Sequence, residues 1–283
     1  MGKQVTKPIK LAMRAAVVGS FLTMAGGAAV ADEPKRDLKI TANAAITSEY
    51  VFRGFSQSAQ TPTVQFGIDA TYKWFYAGIW GSGLDYGSDP TRPGQDVAHV
   101  EVDFYAGIKP VLGPLSFDLG VIYYSYPNAF DPGGTARFRE IDYLELKTGV
   151  SGSPWKDGTL GATLFYSPTY TFDSGAVFTL EGAVSQVLPK VGQITPTFGA
   201  LIGWQTGDNA LFRQLIVNNA ADNYLYWNAG VTLGFGDRFS IDLRYWDTNL
   251  KDNNLAGGGV NKFCSGSSLQ CDERFVATAK VTY

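Results

Sequence analysis

The sequence has little of what catalytic, metal-binding or helical membrane sites require. Its 283 residues include one histidine, two cysteines and three methionines. One histidine and two cysteines in distant segments do not make a set of metal ligands. After residue 31, no apolar run approaches the roughly 20 residues that a membrane-spanning helix needs. The sequence therefore predicts no metal site, no cofactor and no helical membrane span.

Residues 1–31 have the three-part pattern of a secretory signal peptide. Basic residues precede an apolar run, Ala15–Val30, and the small residues Ala29 and Ala31 precede Asp32. The alternative, a membrane-anchoring helix, is disfavoured because glycine, serine and threonine interrupt a run that is short for a span of about 20 residues. Cleavage would remove four of the 23 Lys and Arg residues and leave 19 against 26 Asp and Glu, a net charge of −7. This balance does not indicate a nucleic-acid partner.

Apolar and polar residues alternate with a period of two through residues 32–283, which we expect to form one domain. In the last stretch, Glu273–Tyr283, Phe275, Ala277 and Ala279 alternate with polar residues, and neither glycine nor proline interrupts them. Such alternation predicts a β-strand with one apolar and one polar face. The pattern predicts twelve strands, at residues 38–52, 64–72, 74–86, 100–108, 117–124, 144–150, 160–170, 176–188, 194–204, 225–233, 239–245 and 273–283.

The arrangement of these segments favours a closed barrel. Composition alone is equally typical of an exported β-sandwich. An even number of segments of about ten residues, with connections that are mostly long on one side and short on the other, is the layout of outer-membrane barrels. We therefore predict an all-β fold, a transmembrane antiparallel up-and-down β-barrel of about 12 strands. One long connection contains an apolar piece, Leu211–Val217, that is either a short helix or a loop folded inwards.

The first and last predicted strands should pair, because an open sheet edge in hydrocarbon would leave backbone groups without partners. Both termini would then lie on the periplasmic side. The terminal aromatic residue, Tyr283, resembles the C-terminal signal by which outer-membrane barrels are recognised for assembly. We expect a monomer in a Gram-negative-type outer membrane, whose partners are membrane lipid, lipopolysaccharide and, through the C-terminal strand, the barrel-assembly machinery.

Aromatic residues gather towards the ends of the predicted strands, as in the interfacial girdles of membrane barrels. The predicted girdle consists of Tyr50, Phe52, Trp74, Phe75, Tyr123, Trp204, Trp227, Tyr245 and Tyr283. The alternative is ordinary packing inside a β-core, in which aromatic residues are also common.

A short segment carries a family resemblance. Residues 47–58 read TSEYVFRGFSQS, which resembles the signature TSDYVFRGxSQS near the start of the mature chain in the TorF-type porin family, with Glu49 in place of aspartate. The resemblance implies an outer-membrane barrel with a poorly defined transport role and no catalytic residues. Glu49 and Arg53 lie four apart in the first predicted strand, so they share its polar face and can form a charge pair in the lumen. The alternative is that Arg53 and Gly54 end the strand and begin a turn.

Charged residues on the predicted inner face are candidates for lining a pore. The candidates are Glu49, Arg53, Asp69, Glu101, Asp103, Asp118, Glu145, Lys147, Glu181, Asp242, Arg244, Arg274 and Lys280. Charges of both signs can line a water-filled lumen, or can pair across it and close it. A barrel of about 12 strands is wider than one whose side chains fill it and narrower than porins of 16 to 18 strands. We predict a narrow channel for passive diffusion of small polar solutes. The alternative is a non-conducting structural or surface-recognition barrel that acts through its long loops.

The one histidine, His99, does not indicate an enzyme. Barrel hydrolases that act on lipids use a histidine near a serine, whereas the residue two positions after His99 is Glu101. Neither a His-x-Ser nor a Gly-x-Ser-x-Gly arrangement is present. We therefore predict no catalytic activity.

The two cysteines, Cys264 and Cys271, lie in the last long connection and enclose a short ring. An exported protein folds in an oxidising compartment, so we predict a disulfide between them. The alternative is two free thiols.

Overall fold

The structure is a computed structural model that describes residues 38–87, 96–127, 129, 141–215, 222–250 and 271–283. The predicted signal peptide, residues 1–31, lies outside the described residues.

Twelve long strands form one closed antiparallel sheet in the described part of the chain. In chain order the strands are β1 (Leu38–Thr47), β2 (Val51–Phe52), β3 (Phe55–Ser56), β4 (Thr63–Tyr72), β5 (Phe75–Gly83), β6 (Val100–Ile108), β7 (Val111–Leu112), β8 (Leu115–Ser125), β9 (Tyr143–Gly152), β10 (Gly158–Ser167), β11 (Val177–Val187), β12 (Ile194–Gly207), β13 (Asn223–Phe235), β14 (Phe239–Thr248) and β15 (Arg274–Thr282). The two-residue strands β2, β3 and β7 lie in connections. Pairing of β6 with β8, and of β1 with β15, closes the circle. The predicted barrel, and the predicted pairing of its first and last strands, are confirmed.

The two ends of the barrel differ in the length of their connections. Residues 73–74 join β4 to β5, and residues 236–238 join β13 to β14. At the other end, residues 48–62 join β1 to β4, and residues 249–273 join β14 to β15. Leu38, where β1 begins, lies opposite Tyr72 at the end that has short turns. We call the two ends the short-turn end and the long-connection end.

The outer surface of the barrel is apolar, whereas the lumen is polar. Ile68 on β4 is 55% exposed, and the next residue, Asp69, is only 5% exposed. This difference follows from the period of two, because successive side chains of a strand point to opposite faces. Among the described residues, no helix has the length and apolar character of a membrane span. The fold is that of a transmembrane β-barrel, whose apolar outer face is of the kind that suits hydrocarbon.

A charge on the outer face should lower the stability of the barrel in proportion to its depth. Ile68 lies in the middle of β4, so Ile68→Arg should cost about 2–4 kcal/mol of unfolding free energy in lipid. Leu38→Arg, at the start of β1, is the matched control and should cost at most about 1 kcal/mol. Urea unfolding in lipid vesicles measures both. Equal losses at the two positions would show that the centre of β4 does not lie at the membrane core.

The first strand is shorter than predicted, because the chain leaves the barrel wall after Thr47 and enters the lumen. Tyr50 and Phe52 are therefore buried inside the barrel, and their placement in an outer aromatic girdle was wrong. Five other predicted girdle residues are exposed: Trp74, Phe75, Tyr123, Trp204 and Tyr283. Trp227 and Tyr245 are partly buried. Alternation alone could not reveal this inward turn, because a strand and a hairpin with alternating side chains have the same pattern.

The apolar piece predicted at Leu211–Val217 corresponds to a short helix, α1 (Ala210–Leu215), as far as the described residues extend. Its Phe212 is fully buried, with its ring centroid 6.5 Å from that of Tyr170. The connection therefore combines both expected alternatives, a helical turn and an apolar side chain that packs inwards.

Candidate functional site

The candidate site is the lumen together with the segment that crosses it, residues 48–62, which we call the lumenal hairpin. Thr47 and Thr63, the wall residues at its two ends, are direct partners in the β1–β4 pairing. Within the hairpin, β2 and β3 pair with each other and form a separate two-stranded sheet. The segment is therefore an insertion between two adjacent wall strands.

Arg53 and Gly54 form the turn at the tip of the hairpin. Both have positive φ, 48° and 87°, as the type I′ turn of two-residue hairpins requires. A Cβ atom on Gly54 would lie 2.3 Å from Cγ2 of Thr248 on β14 and 3.1 Å from Cβ of Tyr226 on β13. Position 54 therefore accepts only glycine without local displacement. The turn alternative of the sequence analysis is the one that the structure shows.

Aromatic side chains of the hairpin pack against opposite parts of the barrel wall. The Tyr50 ring lies 5.4 Å from the ring of Trp80 on β5, centroid to centroid. The Phe55 ring lies 5.4 Å from that of Tyr224 on β13. Phe52 contacts Tyr124 on β8, with ring centroids 5.8 Å apart. Because these contacts reach strands on different sides, the hairpin extends across the width of the lumen.

Arg53 makes a two-pronged ion pair with Glu145 on β9. Nη1 and Nη2 of Arg53 donate to the two carboxylate oxygens of Glu145 at 2.7 and 2.8 Å. Each of the two residues is only 1% exposed. The guanidinium carbon lies 4.7 Å from the ring centroid of Phe52 and 5.0 Å from that of Phe165. Burial alone would lower the pKa of Arg53, but its neighbours, with the Glu145 carboxylate foremost, together raise the pKa above its ordinary value. Arg53 therefore stays charged inside the lumen.

Glu49 pairs with a different residue from the one that the sequence suggested. Its carboxylate accepts a hydrogen bond from Nη1 of Arg274 on β15 at 2.7 Å. The prediction that Glu49 and Arg53 share one strand face was wrong. Strand β1 ends at Thr47, and the turn at Arg53 directs its side chain to β9. Both ion pairs instead join the hairpin to the wall. A third bond, from the Tyr50 hydroxyl to Glu101 on β6 at 2.8 Å, does the same.

The structure places all thirteen candidate residues in the lumen, where they lie at two levels. At the level of the hairpin are Glu49, Arg53, Glu101, Asp103, Glu145 and Arg274. On the wall, at mid-strand or nearer the short-turn end, are Asp69, Asp118, Lys147, Glu181, Asp242, Arg244 and Lys280. Several pair with near neighbours: Lys147 Nζ lies 2.7 Å from Asp118 Oδ2, and Arg244 Nε lies 3.0 Å from Asp242 Oδ1.

Tyrosine hydroxyls supply further partners for the lumenal carboxylates. Tyr76 on β5 donates to Asp118 at 2.7 Å, and Tyr226 on β13 donates to Glu181 at 2.6 Å. Further bonds of this kind join Tyr105 to Asp69 and Tyr124 to Glu145. Such donors keep a buried carboxylate satisfied without a full counter-charge. These tyrosines were not predicted to have a role, although the period of two puts Tyr105 and Tyr124 on the polar face.

The hairpin separates two cavities within the lumen. The larger one encloses about 170 Å³ towards the short-turn end, and Glu49, Tyr50 and Val51 form part of its lining. The other encloses about 50 Å³ on the side of the long connections, and Phe52 and Phe55 line it together with a group of tyrosines. The lining of the larger cavity also includes charged wall residues, Asp242, Arg244 and Lys280. Residues 49–55 therefore form the partition between the two halves of the lumen.

The histidine and one of the two cysteines also lie among the described residues. The His99 side chain is 67% exposed, with Nε2 3.3 Å from Oδ2 of Asp96. Cys271 is fully buried, and Cys264 lies outside the described residues, so the disulfide stays a prediction. In the described ranges, no three His, Cys, Asp or Glu side chains lie together in a way that could hold a metal ion.

The fold is similar to those of solved outer-membrane proteins. One is described as "NanC porin structure in rhombohedral crystal form", with a TM-score of 0.50 and 9% identity over 87% of this chain and 99% of that chain. Another is "KdgM porin", with a TM-score of 0.48 and 7% identity over 86% of this chain and 97% of that chain. A third is "LpxR from Salmonella typhimurium", with a TM-score of 0.42 and 11% identity over 86% of this chain and 99% of that chain. At such identities, the likeness to NanC concerns the fold alone.

Comparison at the level of sequence gives a family. No curated protein matches the chain. A family described as "Bacterial protein of unknown function (Gcw_chp)" matches residues 31–282. Because this match spans the whole barrel, the chain belongs to the Gcw_chp family.

Proposed function

We propose that this protein is a porin-like channel of the outer membrane, of the TorF type that residues 47–58 resemble, for passive diffusion of small polar solutes. The observation that carries the proposal is the lumen itself. Charged and hydroxyl-bearing side chains point inwards from wall strands on every side, whereas the outer face is apolar. A lumen of paired charges with cavities of about 170 and 50 Å³ has room for water beside its polar groups.

The solute would move along polar side chains, without a cofactor or a chemical step. Asp242, Arg244 and Lys280 line the larger cavity, so a solute in this cavity would meet charges of both signs. Such a lining favours small hydrated molecules over apolar ones, since burial of an apolar solute there would displace water from ions. The proposal includes the location and the partners expected from the sequence, outer-membrane lipid, lipopolysaccharide and the barrel-assembly machinery. Membrane fractionation with detergent extraction tests the location.

A second candidate function is a non-conducting barrel that recognises surfaces or maintains structure. The observation that favours it is the partition formed by residues 49–55, held by two buried ion pairs. If the hairpin never leaves, the lumen does not conduct. The two functions therefore predict different conductance for a barrel that lacks the hairpin: a channel conducts ions, and a structural barrel does not.

Removal of the hairpin should produce a stable channel. Thr47 and Thr63 are direct partners, so residues 48–62 can be replaced by Asn-Gly, a preferred two-residue hairpin turn, without a change in the β1–β4 pairing. We expect this Asn-Gly variant to insert into planar bilayers and to show long-lived openings. Heat-modifiable migration on a detergent gel is the control for folding. A folded, inserted variant with no conductance at any voltage would overturn the channel and favour the structural barrel.

A further inference from the structure

We propose that the lumenal hairpin is a gate: residues 48–62 move as one unit, close the lumen when Arg53 binds Glu145, and open it when the hairpin tip leaves the wall. This inference rests on the proposed channel function and adds its regulation. It concerns motion of the hairpin relative to the twelve wall strands, which stay in place.

The ends of the hairpin allow this motion without damage to the barrel. Because Thr47 and Thr63 lie opposite each other, β1 and β4 stay paired from residue 38 to residue 47 whatever the position of the hairpin. Strands β2 and β3 belong to a sheet of their own. The paired residues of the wall strands therefore lie outside the moving segment. Two backbone bonds do join it to the barrel, from Ser48 N–H to the carbonyl of Ala277 on β15 and from Asp85 N–H to the carbonyl of Gln57, both at 2.8 Å. The first lies at the base of the hairpin and can stay as a hinge, whereas the second breaks when the hairpin opens.

The hairpin also keeps its own shape through internal hydrogen bonds. The backbone N–H of Gln57 donates to the carbonyl of Tyr50 at 2.7 Å. Ser58 Oγ accepts from the backbone N–H of Tyr50 at 3.0 Å and donates to the carbonyl of Thr61 at 2.8 Å. None of these bonds involves the wall. A compact loop with adjacent ends and its own internal contacts can move as a body.

Besides the aromatic ring contacts, the hairpin is held to the wall by polar bonds that water can replace. Arg53 with Glu145, Glu49 with Arg274 and Tyr50 with Glu101 are all side-chain bonds between charged or hydroxyl groups. A buried ion pair adds little net stability, because the Coulomb gain is offset by the loss of hydration of both ions. Hydration of these groups in an open state therefore compensates for much of the lost bonding.

A reversible crosslink at the tip of the hairpin tests the gate. A Cβ atom on Gly54 would lie 3.7 Å from Cβ of Thr248, within the range of about 3.5–4.5 Å for disulfides. The double variant Gly54→Cys/Thr248→Cys also replaces the Cγ2 atom that would clash. We expect the oxidised variant to open at least roughly tenfold less often than the same protein after reduction. Wild-type protein exposed to the same oxidant and reductant is the control, since it contains Cys264 and Cys271.

The outcomes separate the gate from the channel. If the crosslink is confirmed by mass spectrometry and conductance is unchanged by reduction, the gate is wrong. If the Asn-Gly variant conducts but wild-type protein and the reduced double variant do not, the hairpin is a permanent partition, and the channel proposal stands alone. If the Asn-Gly variant is folded and silent, the channel proposal itself fails.

A second measurement applies where the crosslink does not form. Ser56 is 0% exposed in the closed hairpin. In a Ser56→Cys variant, a bulky thiol reagent added to membranes should label the new cysteine slowly when Arg53 is retained. When Arg53→Ala is added to the same variant, labelling should be roughly a hundredfold faster. Equal, undetectable labelling in both backgrounds would overturn the gate, because the hairpin would then never expose this side.

Discussion

Arg53→Ala should shift the protein towards an open lumen. The substitution removes the partner of Glu145, a carboxylate that is 1% exposed, and leaves its charge buried when the hairpin is closed. Removal of one member of a buried ion pair costs about 3–5 kcal/mol. In the open state Glu145 is hydrated, so the cost falls on the closed state. Since about 1.4 kcal/mol is tenfold in an equilibrium constant, we expect the open-to-closed ratio in single-channel records to rise roughly a hundredfold to a few thousandfold.

The double variant Arg53→Met/Glu145→Leu distinguishes the ion pair from other effects of the substitution. It removes both charges and retains apolar volume between the rings of Phe52 and Phe165. Replacement of a whole buried pair by apolar residues is often neutral or stabilising. Its open-to-closed ratio should therefore return to within about tenfold of the wild-type value. If the double variant opens as often as Arg53→Ala, an uncompensated charge is not the cause. Arg238→Ala, at an exposed turn, controls for the loss of a cation.

Gly54→Ala should weaken the closed state by a steric route. Position 54 has φ of +87°, where an L side chain costs about 1–2 kcal/mol. The added Cβ would also meet Cγ2 of Thr248 at 2.3 Å and Cβ of Tyr226 at 3.1 Å, and overpacking of this kind costs roughly 1–3 kcal/mol. The backbone strain belongs to the turn and is present in both states, whereas the overlap with Thr248 and Tyr226 disappears when the tip leaves β13 and β14. We expect more frequent openings in bilayer recordings and faster cleavage of the hairpin by protease added to membranes.

Gly236→Ala is the matched control, since Gly236 also has positive φ, +61°, but a Cβ there meets nothing within 4 Å. It lies in the short turn between β13 and β14, far from the hairpin tip. This variant carries the backbone strain without the clash, so its gating should equal that of wild-type protein. Equal gating changes in both glycine variants would show that strain anywhere in the barrel, rather than contact at the hairpin tip, controls opening.

Alternation of side chains was sufficient to predict the barrel. The strand from Thr63 to Tyr72 and the strand from Arg274 to Thr282 begin and end within two residues of the predicted positions. Such agreement has a physical cause. A strand between hydrocarbon and a polar lumen must change polarity at every residue, so each strand can be recognised from its sequence alone. Closure between the first and last strands follows, because hydrocarbon tolerates no open edge.

The same pattern predicted which charges face inwards, but not their partners. Alternation places Glu145 and Arg274 on the inner faces of their strands, and the structure has both residues buried there. Their partners, Arg53 and Glu49, come from a segment that the sequence assigned to the wall. Which strands lie opposite one another across the lumen depends on the curvature and register of the whole sheet. Pairs separated by 92 and 225 positions in the chain have no local sequence signal.

The sequence by itself determined the strand count, the polarity of the two faces and the seam of the barrel, because each depends only on contacts with lipid, water or a neighbouring strand. Only the tertiary structure decided that residues 48–62 leave the wall and cross the lumen. Gly54 could signal a turn, but not its direction; that depends on the space beside Thr248 and Tyr226 and on Glu145 as a partner for Arg53. These groups come together only when the barrel closes, so the partition of the lumen is a property of the closed sheet.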